Sequence, residues 1–217
     1  MQPTPPTVTT PVAEQAVTLP PHGLPGLLVL PPQPRAVVLI AHGSGSGHLS
    51  PRQRHTAQVL AEAGLASLRA DMLNAMEELD RRNTFDIPLL ATRLVEFAQW
   101  LAADERTAGL PLGCLGASTG AAAALLAAHH LPAIRAVVSR GGRPDLAGAA
   151  LGSLQIPVLL IVGEQDTEVL ELNRQAQAQL GERCELVVIP GATHLFEEPG
   201  CLEEAARVGA EWIQRNL

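Results

Sequence analysis

The sequence predicts an α/β protein whose mostly parallel sheet carries helices on both faces, and three observations predict it. From Val37 onward, short apolar runs rich in β-branched residues alternate with amphipathic or alanine-rich stretches, the strand–helix–strand rhythm of a sheet covered on both sides. Hydrophobic residues make up 47% of the 217-residue chain against 17% charged, enough apolar material for a packed core. Aromatic residues are scarce, with three Phe, two Trp and no Tyr, so the core is expected to be built from Leu, Val, Ile and Ala.

In chain order, residues 1–15 are rich in Pro and Thr, carry no Lys or Arg and lack the apolar run of a secretory signal. They are expected as a flexible leader ahead of one domain over 16–217. Leu27 to Leu30 and Ala36 to Ala41 are apolar runs bounded by Pro or Gly, hence strands. Pro51 to Ala63 opens on a proline tolerated in a first helical turn, and Ser67 to Ala70 is the next strand. The charged segment Asn74 to Asn83 reads equally as loop or surface helix. Asp86, before Ile87 and Pro88, marks a helix start because its carboxylate can accept from orphan amides. The helix that follows, Pro88 to Ala103, sets Leu90, Leu94, Phe97 and Leu101 on one face. Strands are then expected at Leu112 to Gly116, Ala136 to Ser139, Val158 to Val162 and Leu186 to Ile189. Helices are expected at Thr119 to His129, Glu168 to Leu180 and Leu202 to Asn216. About fifteen residues separate Arg140 from Pro157, an ordinary connection with no room for a lid domain.

Charge and composition exclude several classes of partner. The net charge is −7 with His neutral, and no block of Lys or Arg could neutralise phosphates, which argues against nucleic acid and against a membrane surface. Apolar runs such as Pro157 to Val162 fall far short of the roughly 18–20 residues of a spanning helix. Cys114, Cys184 and Cys201 are odd in number and lack zinc-ligand spacing, so no metal and reduced thiols in a cytoplasm are expected.

Gly116-Ala117-Ser118-Thr119-Gly120 matches G-x-S-x-G where a buried strand gives way to a small-residue helix. That context carries more weight than the pentapeptide, which could otherwise be a plain Gly-Ser turn. The chemistry requires Ser118 on a strained turn with its hydroxyl above the sheet, flanked by glycines where a Cβ would strike a neighbour. The amide of Thr119, at the positive end of the helix, then points to where an oxyanion develops.

A serine hydroxyl is a poor nucleophile at neutral pH and needs a base, which in turn needs a group to fix its tautomer. His194 follows the last expected strand through Pro190-Gly191-Ala192-Thr193 and is the candidate base. His129 and His130 sit at a helix C-terminus, where cations are favoured, and His55 reads as a helix-surface residue. Asp166 follows the strand ending at Val162 and is the candidate acid. Its rivals are Asp145, which has arginines nearby for an ordinary ion pair, and Glu164.

The loop Ala41-His42-Gly43-Ser44-Gly45-Ser46-Gly47 admits two readings. In a hydrolase, the amide of Ser44 completes an oxyanion hole with Thr119, and His42 is structural. In a dinucleotide-binding protein the glycines would meet a pyrophosphate and Asp71 a ribose. The second pattern breaks at His48, which stands where the third glycine belongs, and no phosphate loop occurs elsewhere, so no cofactor is expected.

With AHGSGSG, GCLGASTGAA, VVSRGGRPDL, LLIVGEQD and PGATHLFEEPG in view, the chain resembles the dienelactone-hydrolase-like branch of the α/β hydrolases from about Ala36 to Leu217. The resemblance implies the α/β-hydrolase fold and a cofactor-free hydrolase with Ser118, Asp166 and His194 in the triad positions. Dienelactone hydrolases proper carry cysteine at the elbow, so their lactone specificity is not implied, and hydrolysis of a small soluble ester or thioester is the more general expectation. A non-catalytic binding or scaffold role, or acyl transfer to another acceptor, stays open. Arg52, Arg54, Arg140 and Arg143 could each reach the same sheet edge and bind a substrate carboxylate, or be ordinary surface cations.

Overall fold

Eight strands form one sheet in the computed structural model, which describes residues 12–217. They are β1 (Glu14–Leu19), β2 (Leu24–Val29), β3 (Val37–Ala41), β4 (Ala66–Ala70), β5 (Leu112–Ala117), β6 (Ile134–Arg140), β7 (Val158–Gly163) and β8 (Cys184–Ile189). Their spatial order is β1-β2-β4-β3-β5-β6-β7-β8. β1 and β2 pair antiparallel, as do β2 and β4, and every other neighbouring pair is parallel. The leader expected over 1–15 lies outside the described residues as far as residue 11. Glu14 and Gln15, expected at its end, instead pair with Val29 and Leu28 in β1.

The helices are α1 (Pro51–Glu62), α2 (Ala75–Glu78), α3 (Ile87–Ala103), α4 (Thr119–His130), α5 (Thr167–Leu180) and α6 (Cys201–Asn216). Alternation along the central strands sends side chains to two cores. Val37, Leu39 and Ala41 pack with α3 and α4, whereas Val38 and Ile40 pack with α1 and α6. The stripe Leu90, Leu94, Phe97 and Leu101 is buried. Its helix starts as expected, with the Asp86 side chain accepting the Leu89 amide at 3.0 Å. Within the charged segment, α2 is held by a reciprocal cap: Asn74 accepts the amides of Met76 and Glu77, and Glu77 accepts that of Asn74. Among the described residues no helix is long and apolar enough to cross a membrane.

Parallel strands joined by helical crossovers deliver their carboxyl ends to one rim, and this places the site. The chain leaves β3, β5, β6, β7 and β8 on that rim at residues 42, 118, 141, 164 and 190. Between β6 and β7 lies only a short 3-10 segment, Pro144–Ser153, broken at Gly148, so no lid domain is inserted between these strands. Cys114, Cys184 and Cys201 are buried and unpaired, and burial pushes the Cys114 thiol up to about 12.

Candidate active site

Ser118 sits between β5 and α4 with φ 51° and ψ −123°, a backbone conformation that L-residues adopt only under constraint. Local bonds supply the constraint. The Ser118 amide donates to the Arg140 carbonyl at 3.3 Å, and the Ser118 carbonyl accepts from Ala121 at 3.1 Å and Arg143 at 3.2 Å. Both elbow glycines are sterically required: a Cβ on Gly116 would lie 2.4 Å from Ala121 Cα, and one on Gly120 would lie 2.4 Å from the Ala41 carbonyl. Ala121 to Ala124 are fully buried, so α4 lies close against the sheet.

His194 lies in the loop between β8 and α6, which is pinned from two sides. Glu164 accepts the Gly191 amide at 2.8 Å, and Gln165 donates its amide to Ala192 at 2.9 Å. Glu198 accepts the Thr193 amide at 3.0 Å and its hydroxyl at 2.6 Å. The loop approaches the end of β7 so closely that a Cβ on Gly163 would lie 2.4 Å from the Ala192 carbonyl.

Of the acids weighed, Asp166 is the one that meets the imidazole: its Oδ2 lies 2.6 Å from His194 Nδ1. Asp145 is engaged by Arg143 through two bonds of 2.8 and 2.7 Å, and Glu164 serves the loop. Ser118 and His194 line the same cavity of about 230 Å³ without a hydrogen bond between them in this structure.

Thr119 is the first residue of α4, where an amide has no intrahelical acceptor. The Ser44 amide, the other expected oxyanion donor, is not free: it donates to Thr119 Oγ1 at 3.2 Å. His42, read as structural in a hydrolase, meets backbone at both ring nitrogens. It is buried, its Nδ1 is 3.0 Å from the Gly43 carbonyl, and its Nε2 accepts the Met72 amide at 3.2 Å. Desolvation holds its pKa below the usual 6.5. Asp71 accepts the His48 amide at 2.8 Å and lies 2.8 Å from His48 Nδ1. The acid of the dinucleotide reading thus binds the residue that breaks the glycine pattern.

The four arginines separate. Arg52 and Arg140 line the cavity with Ser118 and His194. Arg54 lies 3.5 Å from Glu14 beside a different groove, and Arg143 is held by Asp145, so neither lines the cavity. Gln53 and Phe196 also line it, and sequence reasoning missed both. Glu198, the loop clamp, had one available signal, a carboxylate four residues beyond the candidate histidine. His55 pairs with Glu203 at 2.8 Å, and His129 and His130 end α4. Among the described residues no group of three or more His, Cys, Asp or Glu could hold a metal ion.

Comparison with known proteins agrees with this architecture. A family model described as "Alpha/beta hydrolase domain" matches residues 34–208. The crystal structure of a dienelactone hydrolase from Anabaena variabilis superposes with a TM-score of 0.90 at 47% identity, covering 96% of this chain and 100% of that one. Est1E from Butyrivibrio proteoclasticus shares the fold with a TM-score of 0.77 at 20% identity, covering 93% of this chain and 98% of that one. Proteins of two Mycobacterium tuberculosis strains, provisionally named phosphoribosyl transferase, are 55% identical over 193 residues, covering 88% of this chain. The chain spans 44% of the length of those curated relatives.

Proposed function

The chain belongs to the alpha/beta hydrolase family, in its dienelactone-hydrolase-like branch, and we propose that it is a serine hydrolase cleaving a carboxylic ester or thioester of a small molecule. The observation that carries this reading is the 2.6 Å contact of Asp166 with His194 Nδ1 beside a cavity that both His194 and the strained Ser118 line. A carboxylate only accepts hydrogen bonds, so it keeps the proton on Nδ1 and leaves Nε2 able to take one from Ser118. Ser118 Oγ adds to the acyl carbon, and His194 returns the proton to the leaving alcohol or thiol. Water, deprotonated by the same imidazole, then releases the acid and restores the serine. The amide of Thr119 stabilises the oxyanion, joined by that of Ser44 once it leaves Thr119 Oγ1 for the stronger acceptor.

The transferase name of the mycobacterial relatives belongs to proteins of which this chain spans less than half. A fluorophosphonate probe is expected to label Ser118 alone. Ser118→Ala is expected to lose labelling and to lower turnover of p-nitrophenyl acetate on the order of 10⁶-fold, by precedent with other serine triads. A folded native protein that is neither labelled nor active on esters and thioesters would refute the proposal.

A further inference from the structure

Arg140 ends β6 with 6% of its surface exposed, and it lines the cavity that holds Ser118 and His194. Its Nη1 donates to the Thr56 hydroxyl at 2.7 Å, and among the described residues no carboxylate pairs with it. The two other buried arginines are both neutralised, Arg69 by Glu14, and Arg93 by Glu77 at 2.7 Å and Glu96 at 3.3 Å. Burying a cation without a counter-ion is costly and is tolerated where a ligand supplies the missing charge. Desolvation and the charge of Arg52 pull the Arg140 pKa down to about 10, which leaves it charged at neutral pH.

Two neighbours of this cavity strengthen the case. Arg52 lines its mouth with a side chain 40% exposed, and its contact with Glu197 is long, at 3.7 Å. Gln53 is 3% exposed, and its Oε1 has no hydrogen-bond partner. The same amide carries two N–H donors, from which an anion in the cavity can accept. Register fixes the distance scale, because Arg140 pairs with Ala117, the residue before Ser118, and its carbonyl accepts the Ser118 amide.

We propose that Arg140, with Arg52 and Gln53, forms an anion subsite beside Ser118, so that the substrate is a short ester carrying a carboxylate or a phosphate-like group. The substrate half of this statement rests on the hydrolase reading, whereas the anion subsite does not.

Turnover of monomethyl glutarate, methyl 4-phosphonobutyrate and neutral methyl pentanoate tests the first half. The native protein is expected to show kcat/KM about 10- to 100-fold higher for one of the anionic esters, the size of a charge-assisted hydrogen bond, and the better of the two names the anion. Arg140→Gln is expected to collapse that ratio toward one, and Arg140→Lys to restore part of it. A native ratio at or below one, or a ratio that survives Arg140→Gln, overturns the proposal. Should Arg140→Gln fail to fold, Arg52→Gln replaces it, and an unchanged ratio there counts against the subsite. Calorimetric binding of glutarate and of inorganic phosphate to Ser118→Ala protein tests the second half without any turnover. Binding that weakens at least about tenfold on adding Arg52→Gln supports the subsite even if no ester is cleaved. Ester turnover with no binding of either anion overturns the subsite and leaves the hydrolase reading standing.

Discussion

Replacing Asp166 by Asn keeps the size of the side chain and removes its charge, and the structure permits the cost to be divided between two mechanisms. If the Asp166–His194 contact, 2.6 Å long, were only a charge-assisted hydrogen bond, its loss would cost about 1.5–3 kcal/mol, roughly 10- to 150-fold in rate. Asn brings a second effect, because its NH₂ can face Nδ1. That orientation drives the ring proton onto Nε2, which removes the base from Ser118 altogether. Wrong-tautomer losses in serine triads are about 10⁴-fold, or about 5 kcal/mol on the barrier. The larger figure is expected here because Oδ2 reaches Nδ1 directly and the Asp166 side chain is only 14% exposed, so water is a poor substitute. The assay is kcat/KM for p-nitrophenyl acetate near neutral pH, with Asp145→Asn as the control. Asp145 is held by Arg143 outside the cavity lining, and its replacement is expected to change activity by less than about threefold. A loss below about tenfold in folded Asp166→Asn, or a greater loss in Asp145→Asn, would refute the assignment of the acid.

Gly163→Ala sets a methyl group 2.4 Å from the Ala192 carbonyl and 2.7 Å from that of Thr193, so the histidine loop must retreat. Activity is expected to fall by about 100-fold or more, the cost of misplacing a catalytic group by about 1 Å, while circular dichroism keeps its helical signal; native activity would contradict the geometry. The folded state holds His42 below its usual pKa of 6.5 through burial, so acidification through that value protonates the unfolded chain first and stability falls. That contribution is fully present above the unfolded pKa and is lost as pH falls toward the lower folded one, with a slope of at most about 1.4 kcal/mol per pH unit. His42→Gln is expected to flatten the dependence of urea-unfolding free energy between neutral pH and pH 5, and parallel curves would exclude His42 as its source. Leu94→Ala empties a fully buried position on α3 and is expected to cost about 2–5 kcal/mol by the same measurement.

The parallel part of the fold was readable because strands buried on both faces have to be apolar at every position. β3 (VVLIA) and β7 (VLLIVG) are buried throughout and stand out as uninterrupted runs. The antiparallel edge obeys other constraints. β1 exposes Glu14, Gln15, Ala16 and Thr18, as an edge strand can, so it carries little of the apolar signal by which strands are found. β2 starts at Leu24, ahead of the expected Leu27, and takes in Pro25 and Gly26; Pro25 stands near the strand's start, where a missing N–H is tolerated. Asn74 to Asn83 was ambiguous for a related reason: α2 buries no residue and is held by its caps, which leave no apolar period to detect.

The placement of Ser118, Asp166 and His194 on one rim could be read from chain order, because topology alone carries them there whatever their side chains do. Side-chain direction is a different quantity, and it decided the arginines. Arg52 and Arg54 are two residues apart on α1, about 200° around a helix, so one can line the cavity only if the other points away toward Glu14. That much was available from periodicity. The division between Arg140 and Arg143 was not, since it turns on where β6 ends and on Asp145 lying two residues beyond Arg143 to capture it in a chelate-like pair. Nor could spacing reveal the Ser44–Thr119 bond, which joins residues 75 apart and exists because β3 and β5 are neighbours in the sheet. Chemistry that depends on strand order was therefore open to sequence reasoning, and chemistry that depends on which partner reaches a polar group first required the coordinates.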